Sequence, residues 1–273
     1  MSRPYPVSGD DGAPAKPAQA PGGAAELKKW FPFWKPKPGA RLRLFCFPFA
    51  GGSASALHRW AEPLGPFVEV LAVQYPGRET RFREPPLKRS STLVEALGPA
   101  MLPLLDRPFA FFGYSLGTAI SLALAHWLRR SGAPAPRGMM MAAGLPPKLC
   151  RPQGAHTLSD EELIAEIRRL GATPPQVLAH RELMELLLPV VRADFEMMDT
   201  LTHSEEAPLC VPMAIWGGRE DSQPSPQALE TWRDYSTQDC SIQLIPGGHF
   251  FLHSAPDALR EDVERTLLRW VAP

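Results

Sequence analysis

Short apolar runs alternate with longer amphipathic stretches from residue 41 to the C-terminus. Several runs are almost continuously apolar, which is typical of parallel strands that are covered on both faces. Strands are expected at residues 41–47, 68–74, 109–113, 138–143, 211–216 and 241–245. Helical spacing occurs between or after them at residues 118–130, 226–235 and 256–271. This alternation predicts an α/β domain: a mostly parallel, twisted, doubly wound sheet with helices on both faces.

The alternation stops at about residues 150–207, where no strand pattern occurs. Ser159 and Glu162 have the spacing of a capping box, which predicts that a helix begins there. Two further helices are expected at residues 176–188 and 189–203. An insertion at the carboxyl ends of parallel strands lies beside any site formed there, so this segment is interpreted as a helical lid.

The N-terminal part of the chain has a different composition from the rest. Residues 1–29 are rich in Pro, Gly and Ala, have little apolar periodicity and are expected to form a disordered extension. The aromatic cluster at residues 30–34 is expected to pack onto the domain, which would then comprise residues 30–273.

Charge and cysteine content restrict the classes of partner. The 29 basic and 29 acidic side chains cancel, which argues against bulk-charge binding to nucleic acid or an anionic membrane. The chain shows neither an apolar run long enough to span a membrane nor a secretory signal pattern, so a cytoplasmic protein is expected. Buried reduced thiols, without metal-ligand spacing, are expected at Cys46, Cys150, Cys210 and Cys240.

The pentapeptide Gly113-Tyr114-Ser115-Leu116-Gly117 directly follows an apolar run and precedes a helical pattern. A strand that turns into a helix through Gly-x-Ser-x-Gly places the serine on a sharp corner at the helix N-terminus. The glycines leave room for the adjoining strand and helix. Ser115 is therefore the candidate nucleophile of an α/β-hydrolase fold.

A serine nucleophile needs a base and an acid that orients the base. His249 follows the last predicted strand through a Pro-Gly-Gly turn, and Asp221 follows the strand before it. Both positions lie at strand carboxyl ends and in the expected chain order of Ser, Asp, His. The other histidines are His58, His126, His156, His180, His203 and His253, and the competing acids are Glu220, Asp239, Asp194 and Asp199.

An acyl-transfer site also needs donors for the oxyanion of the tetrahedral intermediate. One candidate is the backbone N–H of Leu116, at the start of the helix after the nucleophile. The other should come from the Gly-containing loop after the first strand, where we choose the Ala50 amide, with Phe49 as the alternative.

Five motifs follow one another along the chain, at residues 45–54, 73–79, 113–117, 192–195 and 247–252. Together they strongly resemble type II thioesterases, the stand-alone editing hydrolases of polyketide and nonribosomal peptide synthesis. The resemblance extends from about Trp30 to the C-terminus. Leu116 stands where methionine is more usual, but the donor there is a backbone group. The Pro-rich extension is not typical of the family.

The resemblance implies a catalytic triad of Ser115, Asp221 and His249. It also implies a substrate carried as an acyl thioester on the phosphopantetheine of an acyl or peptidyl carrier protein. No metal or organic cofactor is indicated, and a monomer is expected. Because carrier proteins are acidic, arginines could contact the carrier or the pantetheine phosphate, but solvated or loop-capping roles are the favoured interpretation. These arginines are Arg78, Arg81, Arg83, Arg168 and Arg169.

Three alternatives remain at this stage. A medium-chain fatty-acyl chain-terminating thioesterase would share the fold and the triad. An esterase or acyltransferase would use the same nucleophile with a different acceptor. A non-catalytic carrier-binding partner could keep the fold without the chemistry.

Overall fold

Six parallel strands form one sheet in the computed structural model, which describes residues 23–171, 173–201 and 206–271. The strands are β1 (Leu42–Phe47), β2 (Val68–Ala72), β3 (Phe109–Tyr114), β4 (Met139–Ala142), β5 (Met213–Gly218) and β6 (Cys240–Ile245). Their order across the sheet is β2-β1-β3-β4-β5-β6, and every neighbouring pair is parallel. All six predicted strands are confirmed, with ends that differ by at most two residues.

Helices cover both faces of the sheet, as predicted. They are α1 (Ala24–Trp30), α2 (Ala54–Ala61), α3 (Ser90–Met101), α4 (Leu116–Arg130), α5 (Asp160–Leu170), α6 (Pro175–Leu178), α7 (Arg181–Asp199), α8 (Pro226–Leu229), α9 (Phe251–Ser254) and α10 (Pro256–Val271). One face packs against α3 and α4, and the other packs against α2 and α10.

The central strand β3 shows why the apolar runs are continuous. Phe109 and Phe111 belong to the hydrophobic cluster on one face, whereas Ala110 and Phe112 belong to the cluster on the other face. Successive side chains of a strand point to opposite faces, so burial on both sides requires apolar residues at consecutive positions.

The N-terminal aromatic cluster packs onto the domain, as predicted. Trp30 and Phe31 are buried in the main core, and the Arg81 guanidinium lies 4.1 Å from the ring centre of Trp30. The predicted C-terminal boundary of the disordered extension, residue 29, is wrong. Residues 24–29 belong to α1, whose Leu27 packs against the same core. Apolar contacts therefore stabilise a helix where the composition suggested none. Residues 1–22 lie outside the described part of the chain.

The segment between β4 and β5 folds as the predicted helical lid. Its helices α5, α6 and α7 enclose a small apolar core of their own, and the capping box of Ser159 and Glu162 begins α5. The predicted break before Pro189 is wrong, because α7 runs through this residue. Leu188 and Val190 are buried on either side of Pro189, and this packing offsets the hydrogen bond that a proline removes. The predicted helix end at His203 lies outside the described residues.

All four cysteines are free thiols, but their burial differs. Cys46 and Cys240 are buried as predicted, whereas Cys150 is half-buried and Cys210 is exposed. The expectation of a buried thiol is therefore wrong for Cys210, which lies just before β5 as the sequence indicated. None of the helices in the described ranges is both long and apolar enough to cross a membrane.

Candidate active site

Ser115 lies on the sharp turn between β3 and α4, with a positive φ of +51°. A positive φ is uncommon for a residue with a side chain and indicates a constrained corner. A Cβ on Gly113 would lie 2.5 Å from the Gly117 carbonyl oxygen, and a Cβ on Gly117 would lie 2.0 Å from the Phe47 carbonyl oxygen. Both glycines are therefore needed for β1, β3 and α4 to meet at the serine, as the sequence predicted.

Two hydrogen bonds join Ser115, His249 and Asp221. Ser115 Oγ lies 3.0 Å from His249 Nε2, and His249 Nδ1 lies 2.8 Å from Asp221 Oδ2. A carboxylate only accepts hydrogen bonds, so the proton is assigned to Nδ1, and Nε2 is free to accept from the serine hydroxyl. The structure thus brings together three side chains that the sequence places far apart. Their arrangement allows the serine to pass its proton to the imidazole.

Neighbouring strands deliver the acid and the base. Asp221 follows β5 and His249 follows β6, and the ends of these strands are paired at Gly218 and Ile245. A Cβ on Gly218 would lie 2.3 Å from the Gly248 carbonyl oxygen, which shows how closely the two loops approach. The Asp221 carboxylate is buried, and its Oδ1 accepts a hydrogen bond of 2.9 Å from the Gln223 amide. This second bond fixes the carboxylate plane toward the imidazole.

Tyr114 fixes the other end of the histidine loop. Its hydroxyl donates to the His249 carbonyl oxygen at 2.7 Å and accepts from the Leu252 amide at 3.1 Å. The side chain is fully buried, and burial raises the pKa of the phenol well above its ordinary value, so the hydroxyl stays protonated. Sequence reasoning missed this role. The signal was a tyrosine in an otherwise apolar buried strand, because a buried phenol needs a hydrogen-bond partner.

The two amides proposed for the oxyanion border the same space. Ala50 and Leu116 line one cavity together with Ser115 and His249, and so does Phe49, the alternative donor. Among the described residues, the amides of Ala50 and Leu116 donate to no protein acceptor. Leu116 is the first residue of α4, where helical N–H groups have no partner within the helix. Both amides are therefore free to bind a ligand oxygen.

The cavity above Ser115 has a volume of about 550 Å³ and lies between the carboxyl edge of the sheet and the lid. Its lid side is mostly apolar and includes Ile167, Leu170, Leu187, Val191, Phe195 and Met198. A cavity that is polar beside Ser115 and mostly apolar on its lid side suits a substrate that has a reactive carbonyl and a hydrocarbon part.

Known proteins resemble this chain in sequence and in fold. The model of the thioesterase domain family matches residues 42–267. The chain belongs to the thioesterase family. Its fold is that of the α/β-hydrolases, and it is an enzyme of the serine-hydrolase type.

Individual relatives resemble this thioesterase over nearly their whole length. The gramicidin S biosynthesis protein GrsT of Aneurinibacillus migulanus is 36% identical over 250 residues, which cover 91% of this chain and 98% of GrsT. RedJ, a thioesterase from the prodiginine pathway of Streptomyces coelicolor, is 34% identical with a TM-score of 0.79, covering 93% and 96%. The type II thioesterase BorB of the borrelidin cluster is 32% identical with a TM-score of 0.80, covering 89% and 98%.

The arginines considered for carrier contacts separate into two groups in this thioesterase. Arg78 and Arg81 are buried and donate to the carbonyl oxygens of Gly52 and Gln74, so both have the loop-capping role favoured from the sequence and are not placed to meet a carrier protein. Arg78 pairs with Asp194 of α7, and Arg81 pairs with Glu84 beneath Trp30. Arg83, Arg168 and Arg169 are exposed, and Arg169 borders the cavity while bonded to Glu166.

The competing histidines and acids do not contact Ser115. His156 pairs with Asp199 within the lid at 2.7 Å, and Asp194 is used by Arg78. His58, His126 and His180 lie away from the cavity, whereas His253 lines it next to Phe250. His203 falls outside the described ranges. Glu220 and Asp239 are exposed. Across the three described ranges, no group of three His, Cys, Asp or Glu side chains is placed to hold a metal ion.

Proposed function

We propose that this thioesterase is a type II enzyme that hydrolyses acyl thioesters from the phosphopantetheine arm of carrier proteins. It would remove stalled or aberrant acyl units during polyketide or nonribosomal peptide synthesis. The observation that carries the proposal is the hydrogen-bonded chain of Ser115, His249 and Asp221 at the wall of a half-apolar cavity. The biosynthetic pathways of GrsT, RedJ and BorB support the choice of substrate.

The proposed reaction has two halves. In the first, Ser115 Oγ attacks the thioester carbonyl carbon while His249 Nε2 takes the hydroxyl proton. The amides of Ala50 and Leu116 donate to the oxyanion, and Asp221 stabilises the imidazolium. The C–S bond then breaks, and His249 returns the proton to the leaving thiol. The product is an ester of Ser115 and a free pantetheine thiol.

In the second half, water replaces the thiol. His249 takes a proton from the water as its oxygen attacks the acyl-serine carbonyl, and the same amides stabilise the second tetrahedral intermediate. The C–O bond to Ser115 breaks, and His249 gives the proton to Oγ. A free carboxylic acid leaves and the serine is restored. Each proton passes through His249 Nε2, which the hydrogen bond from Nδ1 to Asp221 keeps available as an acceptor.

These steps need no metal or organic cofactor, so dialysis against EDTA should leave turnover unchanged. We also propose a cytoplasmic monomer. The free state of all four cysteines supports a reducing compartment. Light scattering on the purified enzyme tests the monomer.

A panel of acyl-loaded carrier proteins tests the proposed function. Acetyl, propionyl and medium-chain acyl groups are compared on the carrier and on free pantetheine, with wild type and Ser115→Ala. We expect the wild type to release acids from the carrier, and the variant to lose about 10⁴-fold or more in kcat/KM without unfolding. A fluorophosphonate should label Ser115 in the wild type alone.

Each alternative gives a different result in this panel. Strong preference for medium-chain groups would indicate a fatty-acyl chain-terminating enzyme. Transfer products formed with added alcohols or amines would indicate an acyltransferase. A folded wild type that neither labels nor hydrolyses would indicate a non-catalytic binding partner.

A further inference from the structure

A buried ion pair joins Asp194 of the lid helix α7 to Arg78 in the loop after β2. Arg78 Nη1 and Nη2 donate to the two carboxylate oxygens of Asp194 at 2.7 and 2.8 Å. The Arg78 side chain is 7% exposed and the Asp194 side chain 0%. Burial alone would lower the pKa of the guanidinium, but Asp194 raises it above the ordinary value. A buried pair contributes little net stability relative to apolar side chains of the same size, so its position suggests another role.

The pair is hydrogen-bonded to two consecutive residues of the turn after β1, the turn that carries the proposed oxyanion donor Ala50. Asp194 Oδ2 accepts from the Gly51 amide at 2.7 Å, and Arg78 Nη1 donates to the Gly52 carbonyl oxygen at 3.1 Å. The turn is closed by a hydrogen bond of 2.8 Å from the Gly52 amide to the Phe49 carbonyl, and Gly51 has a φ of +72°. Ala50, whose amide faces no described protein acceptor, is the residue immediately before the clamped Gly51 amide.

The ion pair of Arg78 and Asp194 also connects this turn to α7. Asp194 lies on α7, and a Cβ on Gly51 would lie 3.0 Å from Val191 Cγ2 on the same helix. The turn is therefore packed and hydrogen-bonded against the lid helix. A planar peptide unit cannot rotate about its C–N bond, so a fixed Gly51 N–H also fixes the Ala50 carbonyl and limits rotation of the preceding unit.

We propose that Arg78 and Asp194 are positioning residues, which hold the Ala50 amide where the oxyanion forms and tie that amide to the lid helix. The inference rests on the proposed function, because it assigns a role to the same acyl-transfer site. A preorganised donor stabilises the transition state more than the substrate, so a displaced donor lowers kcat and leaves KM nearly unchanged.

The test compares matched double variants. Arg78→Met with Asp194→Leu replaces the pair with apolar side chains of similar size, which preserves folding better than removal of one charge. Arg78→Met with Asp194→Asn keeps one oxygen that can accept from Gly51. The control is Arg43→Met with Glu69→Leu, a pair whose side chains are 7% and 1% exposed and which joins the opposite end of the sheet.

Three quantities are measured for each folded variant: kcat and KM on a small acyl-pantetheine thioester, affinity for a trifluoromethyl ketone analogue, and the rate of Ser115 phosphonylation by a fluorophosphonate. Loss of one oxyanion donor lowers kcat about 10²–10³-fold, so loosening this donor should lower kcat about 10–100-fold. KM should stay within about twofold, and analogue affinity should fall by the same factor as kcat. The asparagine variant should recover part of the loss, and the control should keep wild-type kcat.

The proposal is overturned if the apolar double variant folds and keeps kcat within about twofold of wild type. It is also overturned if the control loses as much kcat, because the effect would then be general destabilisation. If the leucine variant does not fold, the asparagine variant is compared with the control on the same terms. If the wild type hydrolyses no thioester, the proposed function fails, but the phosphonylation rates still test the positioning role.

Discussion

The hydroxyl of Tyr114 can be removed with almost no change in shape by Tyr114→Phe. The ring would keep its contacts with Phe250 and Phe251, whose centroids lie 5.9 and 5.3 Å away. The substitution removes only the oxygen that donates to the His249 carbonyl and accepts from the Leu252 amide. It therefore isolates how far this oxygen holds His249 in position.

The structure sets the size of the effect. The Leu252 amide is buried, so its loss of a partner costs about 1–3 kcal/mol in the free energy of unfolding. The His249 carbonyl is partly buried and regains some solvent contact, so the loss of its hydrogen bond costs about 1 kcal/mol in the free energy of unfolding. The total is about 2–4 kcal/mol. If poorer placement of the imidazole raises the activation free energy by about 1.4 kcal/mol, kcat falls about tenfold.

The assay combines urea unfolding with kcat and KM on an acyl-pantetheine thioester. Tyr235→Phe serves as the matched control, because the Tyr235 hydroxyl also accepts from a backbone amide, that of Lys148 at 2.7 Å, but does not touch the triad. We expect both variants to lose stability and only Tyr114→Phe to lose kcat. Equal kcat in the two variants would refute the positioning argument and leave Tyr114 with a purely structural role.

Two further predictions follow from close contacts and from charge. Gly117→Ala should destabilise the enzyme by about 3 kcal/mol or more, because the new Cβ would lie 2.0 Å from the Phe47 carbonyl oxygen. Thermal unfolding measures this loss. Gly39→Ala is the control, because no atom lies within 4 Å of a Cβ at that position. Glu69→Gln should lower stability at neutral pH, with a difference from wild type that shrinks as pH falls. Burial raises the pKa of Glu69, but bonds from the Lys37 amide and Arg43 lower it more, to below its ordinary value of 4.5. The Glu69 carboxylate therefore contributes its full stabilisation above pH 4.5 and loses it as the pH falls through the lower folded-state pKa. Urea unfolding of wild type and variant from about pH 7 to about pH 3.5 tests this. A difference in free energy of unfolding that stayed constant over this range would contradict it.

The sheet and the three reactive side chains could be predicted because local signals determine them. Continuous apolar runs mark strands covered on both faces, and the loops after parallel strands meet at one edge of the sheet. Ser115, Asp221 and His249 each follow a predicted strand, so their meeting required no knowledge of distant contacts. The glycines beside Ser115 carried a second local signal, since only a crowded corner requires both of them.

The contacts that support these residues could not be predicted in the same way. Arg78 and Asp194 are separated by 116 positions, and no local pattern links them. The sequence indicated a solvated or loop-capping role for Arg78, or contact with a carrier protein, and did not indicate a buried ion pair, because arginine is usually exposed. Its burial depends on a partner supplied by the lid. Tyr114 is an intermediate case: its need for a hydrogen-bond partner was visible, but the identity of that partner was not.

The lid helix α7 shows why one helix break was predicted wrongly. Met197 belongs to the main core, whereas Leu188, Val191 and Phe195 belong to the lid core. A helix shared by two cores must satisfy both, and its pattern then departs from a single apolar stripe. Packing on both sides of Pro189 keeps the helix continuous where local propensity predicts a break. Packing of α7 against both cores also places Asp194 at the Gly51 amide. The same packing therefore explains the continuous helix at Pro189 and the contact between the lid and the active site.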